Sequence, residues 1–173
     1  TYDAVGTAAT QTFDNRNAGA GKTLSAGGLV MADGNAGANY AINYVTNTTG
    51  VITPAALTVT AQTDTRVYNG TTTSSAAPVI SGTIYDSVGT AATQTFDSRN
   101  VGSGKTLTAS GLVVSDGNAG ANYSISYVTN STGAITPAAL TVTAQADTRG
   151  YNGTKSSSVA PVVTGATYDA IGT

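Results

Sequence analysis

Residues 1–83 return as residues 84–166 without insertion or deletion, and 62 of the 83 aligned positions are identical. Most of the remaining positions exchange side chains of similar size, such as Ser for Ala, Ser for Thr or Val for Ile. Such a period is too long for one turn of a solenoid, whose repeats run about 20–50 residues, and is the size of a small domain that buries its own core. The expected architecture is therefore a string of similar modules. The phase is set by "GVITPAALTVTAQ" (50–62) and "GAITPAALTVTAQ" (133–145), where a proline and two alanines interrupt an extended stretch. Pro54 and Pro137 have no N–H to give a ladder, so they suit a strand end or a linker. On this phase residues 55–137 form a complete module, residues 1–54 the C-terminal part of a first and residues 138–173 the N-terminal part of a third.

Within the module, period-two patterning dominates. "LTVTA" (57–61) alternates, Val79, Ile80, Ile84 and Val88 punctuate 77–88, and "TQTF" (93–96) and "KTLTASGLVVS" (105–115) follow. In "NYSISYVT" (122–129), Tyr123, Ile125 and Tyr127 share one face and read as core. Turn signals rich in Gly and Asn separate these runs at about 8–12-residue intervals. No stretch carries the i, i+3, i+4, i+7 apolar stripe of a helix. The fold class expected is all-β: tandem small antiparallel β-sandwich modules of immunoglobulin type, with a β-grasp as the alternative.

Composition narrows the chemistry. The chain has no Cys, no His and no Trp, and its nine acidic residues are all Asp. Without thiol or imidazole, the commonest nucleophile, general base and zinc ligands are missing, so an enzyme is not expected. A formal net charge of −2, with seven scattered Lys and Arg, gives no basic footprint for a nucleic acid. No run of about 18 apolar residues is present for a membrane span. The opening "TYDAVGT" lacks a signal-peptide pattern, and the chain reads as an internal piece of a longer protein.

"NVGSGKTL" (100–107) and its copy "NAGAGKTL" (17–24) contain the second half of a phosphate-binding loop. The opening glycine of G-x-x-x-x-G-K-[ST] is replaced by Arg99 and Arg16, and strand-like sequence follows where a helix would be needed. The expectation is a Gly-rich hairpin turn carrying a solvated Lys105.

Four motifs in order match a known repeat. "DTRVYNGTTTSS" (64–75) resembles K-V-Y-D-G-T-T. "TFDSRNVGSGKTLTASGLVVS" (95–115) resembles F-x-D-K-N-V-G-x-G-K-x-V-x-V-x-G-L. "GNAGANYSI" (117–125) resembles D-A-G-N-Y, and "ITPAALTV" (135–142) the I-T-P-x-x-L-T-V junction. The module thus resembles the YDG and related MBG repeats of bacterial surface proteins along its whole length. It departs from them in Asn69 and Asn152, which stand for the aspartate of the motif, and in one extra residue within "NAGANY". The resemblance implies a large exported adhesin or filamentous haemagglutinin-like protein, located at the bacterial surface or secreted, and no catalytic activity.

Candidate sites are few. "DGNAGAN" places Asp33, Asn35 and Asn39, and again Asp116, Asn118 and Asn122, at the odd spacing of a calcium loop. Calcium takes six to eight oxygens, usually with several carboxylates. One carboxylate per loop favours a hydrogen-bonded turn, ending at Tyr40 or Tyr123 in a form similar to a tyrosine corner. "YNGT" (68–71 and 151–154) fits a type I′ turn, and also an N-glycosylation sequon, as do the Asn47 and Asn130 sites. Lys22 or Lys105 joined to Asn by an isopeptide bond would need a buried amine, and their glycine-rich surroundings favour exposure. Tyr68 and Tyr85 are candidates for a recognition patch, with a core or rim position as the simpler reading.

The function these observations favour is a stalk, spacer or fibre-forming array, with neighbouring modules and copies of the same chain as partners. The alternative is repeated weak binding of host or surface glycans or proteins, with avidity supplied by copy number.

Overall fold

A computed structural model describes residues 3–170, so that Thr1, Tyr2 and residues 171–173 lie outside the described residues. The described chain is all-β, without a helix. Its strands are β1 (Ala4–Thr7), β2 (Thr10–Phe13), β3 (Gly19–Gly27), β4 (Val30–Ala32), β5 (Asn47–Ile52), β6 (Ala55–Thr60), β7 (Thr65–Val67) and β8 (Val79–Ser81). They continue as β9 (Ser87–Thr90), β10 (Thr93–Phe96), β11 (Gly102–Ser110), β12 (Val113–Ser115), β13 (Tyr123–Val128), β14 (Asn130–Thr136), β15 (Thr141–Thr143) and β16 (Val162–Thr164).

The chain divides into two compact units. The first holds Thr1–Leu57, Gly82–Thr90 and Val113–Ser126, and the second holds Thr58–Ser81, Ala91–Leu112 and Tyr127–Thr173. In the first unit, β2, β3 and β5 form an antiparallel sheet, and β1–β4 and β9–β12 are antiparallel pairs. In the second, the sheet order is β10-β11-β14-β7, and β15 pairs with β16. Most ladders are antiparallel, as expected. β7 instead runs parallel to β14, with Ile135 opposite Arg66. The remaining sheet has the order β13-β6-β8.

Alternation decides what is buried. Leu57 and Val59 point inward from β6, Gln94 and Phe96 from β10, Lys105, Leu107 and Ala109 from β11, and Ile135 from β14. Ala61, Leu112, Val114 and Tyr123 join the apolar members of these in the buried hydrophobic set, while Gln94 and Lys105 are buried polar and charged side chains. Full burial of a Leu or Val side chain contributes about 1.5–3 kcal/mol, so this small set carries most of the stabilisation a thin core can give. Gly133 permits the β11–β14 contact, since a Cβ there would stand 2.9 Å from the Lys105 carbonyl and 3.0 Å from the Phe96 ring.

Register is conserved between copies. Phe96 faces Leu107 and Lys105 faces Gly133, and one period earlier Phe13 faces Leu24 and Lys22 faces Gly50, with ladder irregularities at the same places. Burial is not conserved, because Phe96 is 3% exposed and Phe13 42%. Three strands suffice to fix a register. Closing the face also takes the segment that precedes β10 in the module, where the Arg66 guanidinium lies 5.0 Å from the Phe96 ring centre.

Three sequence expectations are corrected here. Gly104 and Lys105 lie inside β11, with a ladder irregularity between Ser103 and Lys105, and not in a hairpin turn. Lys105 is 8% exposed rather than solvated, because alternation points it to the same face as Leu107 and Ala109. Its stem is covered while its ammonium meets Asp97 at 2.9 Å and the Ser98 hydroxyl at 2.6 Å. Tyr127, read as core beside Tyr123, is 42% exposed, and its hydroxyl accepts the Leu112 N–H.

Candidate functional site: the joints between repeats

The side chains that draw distant parts of the sequence together sit where one repeat meets the next. Two such joints occur among the described residues, each wholly inside one unit. At the first, Arg16, in the loop after β2, donates to Asp86 Oδ1, just before β9. It also reaches the Asp116 carbonyl at 3.2 Å. Asp86 Oδ2 accepts the Tyr123 hydroxyl at 2.9 Å, and that hydroxyl in turn accepts the Tyr85 N–H at 2.8 Å. Alongside, Asn122 Oδ1 accepts the Ala18 N–H at 2.7 Å, and its Nδ2 donates to Asn17 Oδ1 at 3.3 Å. A recess of about 250 Å³, lined by Ile52, Thr53, Ala55 and Tyr85, lies against these groups.

At the second joint the same ion pair recurs one period on, Arg99 to Asp169 Oδ1 at 2.8 Å. Both pairs span 70 residues. Asp169 Oδ2 accepts the Tyr68 hydroxyl, and Tyr68 meets Tyr168 edge to face with ring centres 5.9 Å apart. A recess of about 390 Å³ is lined here by Val101, Pro137, Ala138 and Leu140. Val101 and Ala138 are the period-mates of Ala18 and Ala55 at the first joint.

The electrostatics follow from these bonds. The Asp86 hydrogen bond and charge hold the Arg16 guanidinium above its ordinary value. Burial and then the Asp86 carboxylate push the Tyr123 phenol up, and the Asp169 bond does the same to Tyr68. The Tyr68 hydroxyl, with Arg99 behind it, draws Asp169 below the usual carboxylate range. Each joint thus holds an aspartate between an arginine and a tyrosine hydroxyl. That arrangement binds one segment to another.

The sequence-derived residues fall around this site. Asp116, Asn118 and Asn122 do come together, but as a self-satisfied turn. Asp116 Oδ1 accepts the N–H groups of Asn118 and Gly120 at 2.8 Å each, and Oδ2 that of Asn122 at 2.9 Å. Asp33 accepts from Asn35, Gly37 and Asn39 in the same way. The N–H bonds lower the Asp33 carboxyl, and they lower that of Asp116 against the opposing effect of its burial. The loops place Ala36 and Ala119 in the left-handed region, at φ 51° and 54°. Among the described residues no group of three or more His, Cys, Asp or Glu is placed to hold a metal ion. The turn has a second use, since it aims Asn122 at the Asn17–Ala18 backbone of the preceding repeat.

"YNGT" departs from a type I′ turn, which needs positive φ at both central residues. Only Gly70 adopts it, at 77°, while Asn69 Oδ1 accepts from the Thr71 N–H, the Thr71 hydroxyl and Arg66. A Cβ on Gly70 would stand 3.0 Å from that of Tyr168, so the turn is shaped for the joint as well. Tyr123 resembles a tyrosine corner only in part, because its hydroxyl bonds the Tyr85 N–H, 38 residues upstream, rather than its own local backbone. Lys22 Nζ donates to Asn15 Oδ1 at 2.6 Å, whereas the Lys105 ammonium meets no asparagine among its described bonds.

Sequence reasoning missed the Arg–Asp pairs and two buried polar anchors. Gln94, fully buried, binds the Gln62 N–H and carbonyl and the Ser74 hydroxyl. Asp64 accepts from Ser74 and Ser75, and those bonds hold its carboxyl low although burial opposes them.

Residues 53–132 match the model of the YDG domain. The central repeat is a YDG-type module. Neither a curated protein nor a solved structure matches the chain. The matched stretch contains β6 to β13, so the Asp86–Tyr123 half of the first joint belongs to the YDG-type module and Arg16 to the repeat before it.

Proposed function

We propose that this chain is a spacer segment of a large extracellular bacterial surface protein, in which YDG-type modules follow one another and hold a binding region away from the cell. The observation that carries this reading is the recurrence of one ion pair, Arg16–Asp86 and Arg99–Asp169, at successive joints with the same 70-residue span. A joint whose ion pair recurs in each period lets length grow in proportion to copy number, because each repeat meets only its neighbours. The paucity of charge, with Lys, Arg and Asp only 9% of residues, leaves little Coulombic stabilisation for salt to screen. Small-angle scattering on chains of two, four and six periods tests the proposal. The maximum dimension is expected to rise linearly with period number at both low and high salt. Growth as the square root of length, or a dimension that does not grow, overturns it.

A further inference from the structure

The two joints each show part of one arrangement, and the repeat allows the parts to be joined. Arg lies on Oδ1 of the aspartate in both, as Arg16 on Asp86 and Arg99 on Asp169. A tyrosine from the aspartate's own repeat lies on Oδ2 in two copies, as Tyr123 on Asp86 and Tyr40 on Asp3 at 2.9 Å. The second joint shows a different tyrosine on that same oxygen, Tyr68, which comes from the preceding repeat. One joint displays Arg with the aspartate's own tyrosine, and the other Arg with the preceding repeat's tyrosine.

We propose that within a continuous array each aspartate of the Asp86 type is held at once by three donors from two successive repeats. These are an Arg of the Arg16 type and a Tyr of the Tyr68 type from the preceding repeat, and a Tyr of the Tyr123 type from its own. The surface formed by Tyr85, Asp86, Asn122 and Tyr123 is then a docking face whose partner is the Tyr68 and Arg99 face of the neighbouring module. A carboxylate has about four lone-pair sites, two on each oxygen, so one Arg on Oδ1 and two phenols on Oδ2 take three of them without competition. The chemistry agrees with the geometry. Both tyrosines are hydrogen-bonded to a carboxylate, and both face an aspartate that also holds an Arg. The proposal rests on reading the chain as an array, and it adds which atom locks each joint.

The test uses the 173-residue chain preceded in frame by one further copy of residues 1–83, which supplies the Tyr68-type residue that Asp86 would receive. Because the chain has no cysteine, Thr12→Cys and Thr90→Cys introduced in the 173-residue part take a nitroxide pair across the first joint, read by pulsed dipolar spectroscopy. A narrow distance peak is expected, lost in Asp86→Asn, and broadened separately by Tyr123→Phe and by Tyr→Phe at the Tyr68-type position of the added copy. Near-UV circular dichroism on each variant confirms that the modules themselves stay folded. A peak that stays narrow in Asp86→Asn overturns the proposal. So does a peak that responds to Arg16→Gln while ignoring the added tyrosine. The spacer reading stands or falls separately on scattering, since an array can be extended with joints locked by other contacts.

Discussion

Gln94 shows how one polar side chain can hold a thin core together. Its amide closes a ring with the Gln62 backbone, accepting the N–H at 2.7 Å and donating to the carbonyl at 2.8 Å, and it binds Ser74 as well. Gln62 lies between β6 and β7, outside both strands, and the side chain supplies the two backbone bonds that a neighbouring strand would give it. Gln94→Leu preserves volume and strands both backbone groups in a buried site. The expected loss is about 2–4 kcal/mol, from unsatisfied donor and acceptor together. Chemical denaturation of wild type and variant measures it, and an unchanged midpoint would show that water replaces the amide at no cost. Part of this was legible, because in "TQTF" Gln94 alternates in phase with Phe96 and so shares its inward face. What it binds was not legible, since Gln62 lies 32 residues away and the contact exists only after β6 and β10 have found each other.

At the scale of elements, strands bounded by clear turns were readable and glycine-rich ones were not. β6 and β10 follow from alternation, and the "DGNAGAN" turn from its own aspartate. The start of "GSGKTLTAS" was misread because three small residues suggested a turn, whereas β11 carries them as part of a nine-residue strand held from both sides by β10 and β14. Pairing on two edges overrides weak local propensity. The strand then buries Lys105, whose ammonium is answered by Asp97 and Ser98. Removing the charge and removing its partner should therefore differ. Lys105→Met keeps the covered stem and deletes the ion with little loss. Asp97→Ala leaves a covered ammonium without its counter-ion and strips the carboxylate bonds to the Ser98 and Thr106 N–H groups. Thermal melts of the two variants should place Asp97→Ala clearly below Lys105→Met. The opposite order would mean that the ion pair is incidental to β11.

At the scale of the molecule, the sequence announced repetition and concealed how the repeats are fastened. The 83-residue period is visible in the letters, whereas an Arg and an Asp 70 residues apart carry no local signal. The identical span of two such pairs emerges only when both joints are folded. The fastening and the turns share one chemistry, ionised aspartate facing N–H, phenol or guanidinium, and this fixes how stability responds to pH. Asp33, Asp64, Asp97, Asp116, Asp147 and Asp169 all have folded pKa values below their ordinary ones. Their contribution is complete above the unfolded carboxylate value of about 3.9 and is lost as pH falls through the folded values. Tyr40, Tyr68 and Tyr123 are shifted upward, so their contribution is complete below about 10 and is lost as pH rises through the folded values. With no histidine in the chain, no side chain of ordinary pKa titrates in the interval. The melting temperature is therefore expected to be level from about pH 5 to about pH 9, falling at both ends. The acid limb should shift in Asp116→Asn, and the alkaline limb in Tyr123→Phe. Calorimetry across that range checks the profile, and a slope near neutrality would mean that stability depends on a titrating group outside these aspartates and tyrosines.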